Sequence, residues 1–142
     1  MVEAKLNWLD GERFVAHASS GHAIVIDSDR QRNTAPGPME LVLLGLCACT
    51  ATDVVSILSK KREPFTGVEV RAEAERAQHP PTVYTAIKLI YTVSGEVSAK
   101  AVEDAVRLSE EKYCGVSAML KSTARITTEI HMHGGEAGHA KK

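Results

Sequence analysis

Residues 41–58 read LVLLGLCACTATDVVSIL, an almost unbroken apolar run. Pro36-Gly37-Pro38 stands before it, and Lys60, Lys61, Arg62 and Pro64 follow. Proline suits a first helical turn, where its missing N–H has no partner to lose. Cations suit the negative end of the helix dipole, and Pro64 prevents continuation. The segment therefore predicts a helix from Pro38 to about Lys60. A helix apolar nearly all round has to be covered on every side. A chain of 142 residues buries a real core but has little left to encase such a helix completely. A second copy covering the remaining face, hence an obligate homodimer, is the expected solution. A membrane span is the competing use of the run. Thr50, Thr52, Asp53 and Ser56 interrupt it, and it falls short of the roughly 20 apolar residues a span needs. A central core helix with no membrane partner is expected.

The flanking sequence alternates instead. Ala4, Leu6 and Trp8 oppose Glu3, Lys5 and Asn7, a strand period, and Asp10-Gly11 supplies a turn into Arg13–Ala18. Ser19-Ser20-Gly21 turns again into residues 22–26, and 27–37 read as a polar loop. After the helix, Val68, Val70, Ala72 and Ala74 oppose Glu69, Arg71, Glu73 and Glu75, a strand with one wet face. A turn at 78–82 leads to a strand over 83–93. Ser98 is a candidate N-cap for a helix striped by Val102, Ala105, Val106 and Ser109, which Gly115 is expected to end. A short helix over 116–121 and a last strand over 124–132, with Ile126, Ile130 and Met132 inward, complete the order β-β-β-α-β-β-α-(α)-β. An α+β fold follows, with antiparallel sheets around a long central helix. Residues 1–133 are expected to form one domain and 134–142 a disordered polar tail.

Formal net charge is -1, so no basic surface points to nucleic acid. Residues 1–10 carry no apolar core of a secretory signal, and three cysteines then suggest a reducing, cytoplasmic setting in which a permanent disulfide is not expected. In a helix Cys47 and Cys49 point about 200° apart. Leu43, Leu44, Ala51, Val54 and Leu58 surround Cys47. Gly45, Leu46, Thr52, Asp53 and Ser56 surround Cys49. The smaller, more polar face suits a pocket wall, so Cys49 is assigned to a site and Cys47 to the core. The alternative is that both are small buried hydrophobes. An ordinary thiol is about 3% ionised at pH 7. A two-unit fall in pKa needs about 2.7 kcal/mol, which one cation about 4 Å away supplies at an effective dielectric near 20. Arg30, Arg32 and Arg13 are the candidates. Asp53 opposes them, because a carboxylate one turn from Cys49 raises its pKa.

A metal site built from Cys47, Cys49 and Cys114 with His131, His133 or His139 is disfavoured. Cys-x-Cys diverges on a helix, and no zinc-type spacing is present. No metal and no bound cofactor are expected. An apolar cleft that carries a lipid or acyl compound, with incidental thiols, is the other reading. His17, His22 and His79 read as surface residues.

Pro38-Met-Glu-Leu41, the eleven-residue spacing from Pro38 to Cys49, CTATDVVSIL and SEEKYCGVSAMLK together resemble the OsmC/Ohr superfamily (osmotically inducible protein C and organic hydroperoxide resistance proteins). Within it, the chain is most similar to the YhfA-like branch. The resemblance implies an intertwined homodimer with sites at its interface and thiol-dependent reduction of organic hydroperoxides. Cys49 matches the peroxidatic cysteine and Cys114 the resolving one. Arg30 comes nearest to the family's arginine, with Arg32 a rival. Glu40 would anchor that arginine, although Met39 occupies the place directly after the proline where the family usually has glutamate. An external thiol or dithiol would reduce the disulfide. A dipole at the start of the short helix would favour a Cys114 thiolate.

Overall fold

The computed structural model describes residues 1–134, so most of the expected tail lies outside the described residues. Two compact units divide the chain, Met1–Leu44 and Gly45 onward, with the boundary inside the long helix.

The first unit is a three-stranded antiparallel meander, β1 (Ala4–Asp10), β2 (Arg13–Ala18) and β3 (Ala23–Asp27), followed by a loop and the first turns of α1 (Pro38–Lys60). Trp8 pairs with Phe14, and Phe14 with Ile26. The Asp10-Gly11 turn works because Gly11 takes φ +50°. The alternation of β1 does not produce a buried face within one chain: all of β1 is exposed, Leu6 at 53% and Trp8 at 69%.

Asp27 organises the loop after β3. Its carboxylate accepts the backbone N–H of Asp29 at 2.9 Å, that of Thr34 at 3.0 Å, and the Thr34 hydroxyl at 2.5 Å. The Thr34 hydroxyl does most to hold the carboxyl down at about 2; the backbone bonds and Arg32 assist, against desolvation. Asp27 is closed off from solvent, and the bonds it accepts outweigh its desolvation. A folded pKa below the unfolded 3.8 means that folding releases the proton. The stability Asp27 contributes is therefore complete above the unfolded value and is lost as pH falls through about 2. Acid titration of the Thr34 amide shift should show its midpoint near the folded value. Asp27→Asn should remove that transition and lower the Tm at neutral pH. A Thr34 shift that moves at the ordinary aspartate pKa would overturn the assignment.

The second unit holds the rest of α1 and the sheet β4 (Phe65–Arg76), β5 (Tyr84–Gly95), β6 (Arg125–His133), in that spatial order. β4 and β5 are antiparallel, but β5 and β6 run parallel, Tyr91 beside Ile130. This corrects the expectation of wholly antiparallel sheets. A parallel neighbour needs a long crossover. Here α2 (Ala99–Leu108), a π-helical turn (Ser109–Tyr113) and α3 (Gly115–Leu120) provide it. Ser98 caps α2 as expected, accepting the Ala101 N–H at 3.2 Å. β5 is the central strand, and its Ile87, Leu89, Tyr91 and Val93 alternate inward with at most 1% exposure. Gly95 ends it at φ +115°, where an added Cβ would sit 2.6 Å from the Pro64 carbonyl oxygen.

From α1 this core takes one stripe, Leu46, Thr50, Val54 and Leu58. These residues are four apart, so they stack on one face of the helix. Val42, Leu44 and Val55 lie exposed on the rest of the helix. By length and composition α1 is apolar enough to cross a bilayer, which the core helix of a globular domain also satisfies.

Candidate functional site

The Cys49 and Cys114 side chains lie close enough to act directly on each other. The chain brings them together with two devices. Cys49 projects from the middle of α1. Cys114 sits where the π-helical turn breaks, in an extended conformation (φ -79°, ψ 106°), and is itself the N-cap of α3. Its backbone N–H donates to the Ser109 carbonyl at 2.8 Å. Its sulfur accepts the Ser117 N–H at 3.2 Å. Gly115 therefore opens α3 rather than closing the preceding helix, and the short helix begins one residue earlier than expected. The extended Cys114 makes the break, so a left-handed glycine is not needed. The π turn makes the sulfur's position possible by adding a residue to the helical turn before it.

Asp53 lies one turn beyond Cys49. It points neither to an arginine nor to backbone: its Oδ2 accepts the Ser109 hydroxyl at 2.8 Å. This bond ties α1 to the segment that ends in Cys114, and so helps to fix the two sulfurs in register.

Burial sets the electrostatics. Cys114 is 3% exposed, and desolvation is the main cause that pushes its thiol up to about 11; the neighbouring Cys49 adds to it, against the Ser117 and Val116 amides. The expectation that the start of α3 favours a Cys114 thiolate is thus overturned. The amides of one short helical turn are outweighed by loss of water and by the second sulfur. Cys49 is half-buried and is the more accessible of the pair. Cys47 is half-buried too, and desolvation raises its thiol. The sharp division of Cys47 into core and Cys49 into pocket wall is therefore softer in exposure than the helical wheel implies.

The arginine candidates belong to the first unit. Arg30 is fixed by four acceptors: its Nη1 donates to Glu40 Oε1 at 3.3 Å and to Asn33 Oδ1 at 3.4 Å, and its Nη2 to the carbonyls of Ala35 at 3.1 Å and of Asp27. Glu40 has a second task. Its Oε1 accepts the Gly37 N–H at 2.9 Å, the returning half of a capping box at the start of α1. A Cβ on Gly37 would stand 3.4 Å from the Arg30 guanidinium, in van der Waals contact with it. Arg32 and Arg13 both lean on Asp10, at 2.9 and 3.6 Å, and close the β1–β2 turn. Among the described residues no group of three or more His, Cys, Asp and Glu side chains is arranged to hold a metal. His131 pairs with Glu129, and His139 lies outside the described residues.

The OsmC-like protein family model matches residues 31–129, which contain both thiols and the Arg30–Glu40 pair. The chain belongs to the OsmC-like family. Within the OsmC/Ohr superfamily it falls in the YhfA-like branch. Protein YhfA of Escherichia coli (strain K12) is 40% identical over 127 residues, which cover 89% of this chain and 94% of that protein. A hypothetical protein from Aquifex aeolicus VF5 superposes with a TM-score of 0.87 at 31% identity, covering 96% and 98% of the two chains. The organic hydroperoxide resistance protein OhrB of Bacillus subtilis, at 12% identity and a TM-score of 0.61 over 92% and 97% of the two chains, shares the fold. Ser109, which Asp53 holds, is a member of this OsmC-like site that the sequence did not announce, because in sequence it belongs to an ordinary helical stripe.

Proposed function

We propose that this OsmC-like protein is a thiol-dependent peroxidase that reduces organic hydroperoxides to alcohols. The closeness of Cys49 and Cys114 carries the reading, because a binding protein has no use for two neighbouring thiols. Cys49, the more accessible sulfur, attacks the peroxide O–O bond, releases the alcohol and becomes a sulfenic acid. Cys114 stays protonated and out of the peroxide's reach until that happens. It then displaces the oxygen as water and forms the disulfide, which an external thiol or dithiol from a reducing cytoplasm opens again. The reading gives Arg30, fastened by Glu40, the role of activating Cys49. Steady-state consumption of cumene hydroperoxide with dithiothreitol as reductant tests it. Turnover, with loss of two hydrogens in mass and a Cys49–Cys114 peptide after a single peroxide equivalent, is the expected result. Neither consumption nor disulfide would leave the apolar carrier as the better reading.

The same proposal includes a homodimer. Leu6 and Trp8 on β1, Ile24 and Val25 on β3, and Val42, Leu44 and Val55 on α1 are large apolar side chains left exposed by the single chain, which supports this. A second copy, which carries the same surface, can bury it. Light scattering should give twice the 15.3 kDa chain mass, and Leu44→Glu (Leu44 is 54% exposed) should shift the protein to monomer and aggregate. A wild-type protein monomeric at micromolar concentration would refute the dimer.

A further inference from the structure

Cys114 follows a helical turn that is one residue wider than an α-turn. In an α-helix its backbone N–H would reach back four residues, to the Glu110 carbonyl. It reaches back five, to the Ser109 carbonyl at 2.8 Å, which is the π register. That register is rare, so the contacts that favour it here carry information. Two side chains from outside the turn supply them. The Asp53 carboxylate accepts the Ser109 hydroxyl at 2.8 Å. Ser109 is 0% exposed, its N–H donates to the Ala105 and Val106 carbonyls, and its own carbonyl accepts from Cys114. The hydroxyl is therefore the group by which another element can grip this residue. On the other side, Lys121 Nζ donates to the Glu110 carbonyl at 2.7 Å. It thus competes for the oxygen to which the α register would return the Cys114 N–H. Asp53 stands four residues from Cys49 on α1, and side chains so spaced are neighbours on one helix face. The helix that carries Cys49 also holds the turn that carries Cys114.

We propose that Asp53 and Lys121 are positioning residues for disulfide closure, which hold the Ser109–Tyr113 turn in its π register and so keep Cys114 turned toward Cys49. The proposal rests on the reading of Cys49 as the attacking sulfur and Cys114 as the resolving one. A return to the α register would move Cys114 on by one helical position, about 100° around the axis. Neighbouring positions are about 3.8 Å apart. The Cα–Cα distances that admit a disulfide span only about 4.4–6.8 Å, a range narrower than that displacement. Closure needs no other reactant, because the hydroperoxide has already supplied the oxidation: the sulfenic acid on Cys49 and the thiol of Cys114 form the S–S bond and release water. Asp53, which as a carboxylate beside Cys49 would hinder ionisation, is thereby given a use in the second half of the reaction, exerted through Ser109.

Exchange with glutathione buffers tests this without peroxide, since oxidised glutathione takes up the two thiol hydrogens and leaves as two reduced molecules. The yield of the Cys49–Cys114 peptide after acid quench, at a series of glutathione ratios, gives the effective concentration of one thiol toward the other. It should fall at least about tenfold in Asp53→Ala and in Ser109→Ala, as for one hydrogen bond to a charged group. The double variant should fall no further, because both substitutions remove the same bond. Lys121→Met, on the surface, should lose about threefold. Asp53→Asn, which keeps an acceptor for the hydroxyl, should stay within about threefold of wild type. Looser packing alone would lower the Tm of a variant and leave this equilibrium in the folded protein where it is. An unchanged value in Asp53→Ala or in Lys121→Met overturns the proposal, and so does a double variant that loses the product of the two single losses. A loss in Asp53→Asn as deep as in Asp53→Ala also overturns it, because charge rather than the bond to Ser109 would then be acting. If the wild type forms the disulfide with glutathione but consumes no cumene hydroperoxide, the peroxidase reading fails while these variants still decide the roles of Asp53 and Lys121. A wild type that forms no disulfide at any glutathione ratio overturns both.

Discussion

Cys49→Ser is expected to eliminate cumene hydroperoxide turnover, at least about a hundredfold, because no other group in the site replaces the attacking sulfur. Cys114→Ser should behave differently. Its Cys49 still meets peroxide and takes up one equivalent, but the sulfenic acid finds no thiol beside it. Turnover should then collapse to the slow attack of free reductant on an enclosed sulfur, and excess peroxide should carry Cys49 on to sulfinic acid. Rapid-mixing measurement of peroxide consumed per subunit separates the two: none for Cys49→Ser, a single burst for Cys114→Ser. The contrast follows from exposure and protonation. Cys114 is 3% exposed, with its thiol pushed up to about 11, and is built to wait rather than attack. Equal bursts in both variants would mean that the roles are reversed or shared.

Leu58→Ala should cost about 2–5 kcal/mol of folding free energy, the range for a buried leucine whose surroundings relax incompletely. Leu58 is 0% exposed at the end of the stripe that α1 presents to the core of the second unit. It stands nine residues beyond Cys49, more than two helical turns away. Denaturant titration should show a lower midpoint with an unchanged slope, whereas oxidation of the folded fraction by one peroxide equivalent should proceed as in wild type. A loss well under 1 kcal/mol would show that α1 is not clamped at this end. A loss of oxidation in the folded fraction would show that the far end of the helix also sets the position of Cys49.

The two expectations differ in how readily each reads from sequence. A leucine four, eight and twelve residues from neighbours that share its face is a periodic signal, and periodicity survives without coordinates. The thiol pair is separated by 65 positions, Cys49 to Cys114, and nothing local says they meet. Their pairing came from resemblance. The physical reason for it, the Asp53–Ser109 bond that ties α1 to the π turn, is a long-range contact between two unremarkable residues. Arg30 and Glu40 are ten apart in one loop and helix start, and they do form an ion pair at 3.3 Å. That pairing, too, was implied by the resemblance rather than by the local sequence.

By itself, the sequence determined the elements and most of their boundaries: the helix opening at Pro38 and closing after Lys60, the Ser98 cap, and the alternating face of β4. These follow from φ restrictions, capping and side-chain periods, which act within a few residues. Tertiary structure alone decided that β6 lies parallel to β5, that Cys114 rather than Gly115 breaks the helix, and that burial leaves Cys114 a thiol where the helix dipole favours a thiolate. Strand direction, desolvation and contacts between distant residues arise when the chain closes on itself, so no window of neighbouring residues contains them.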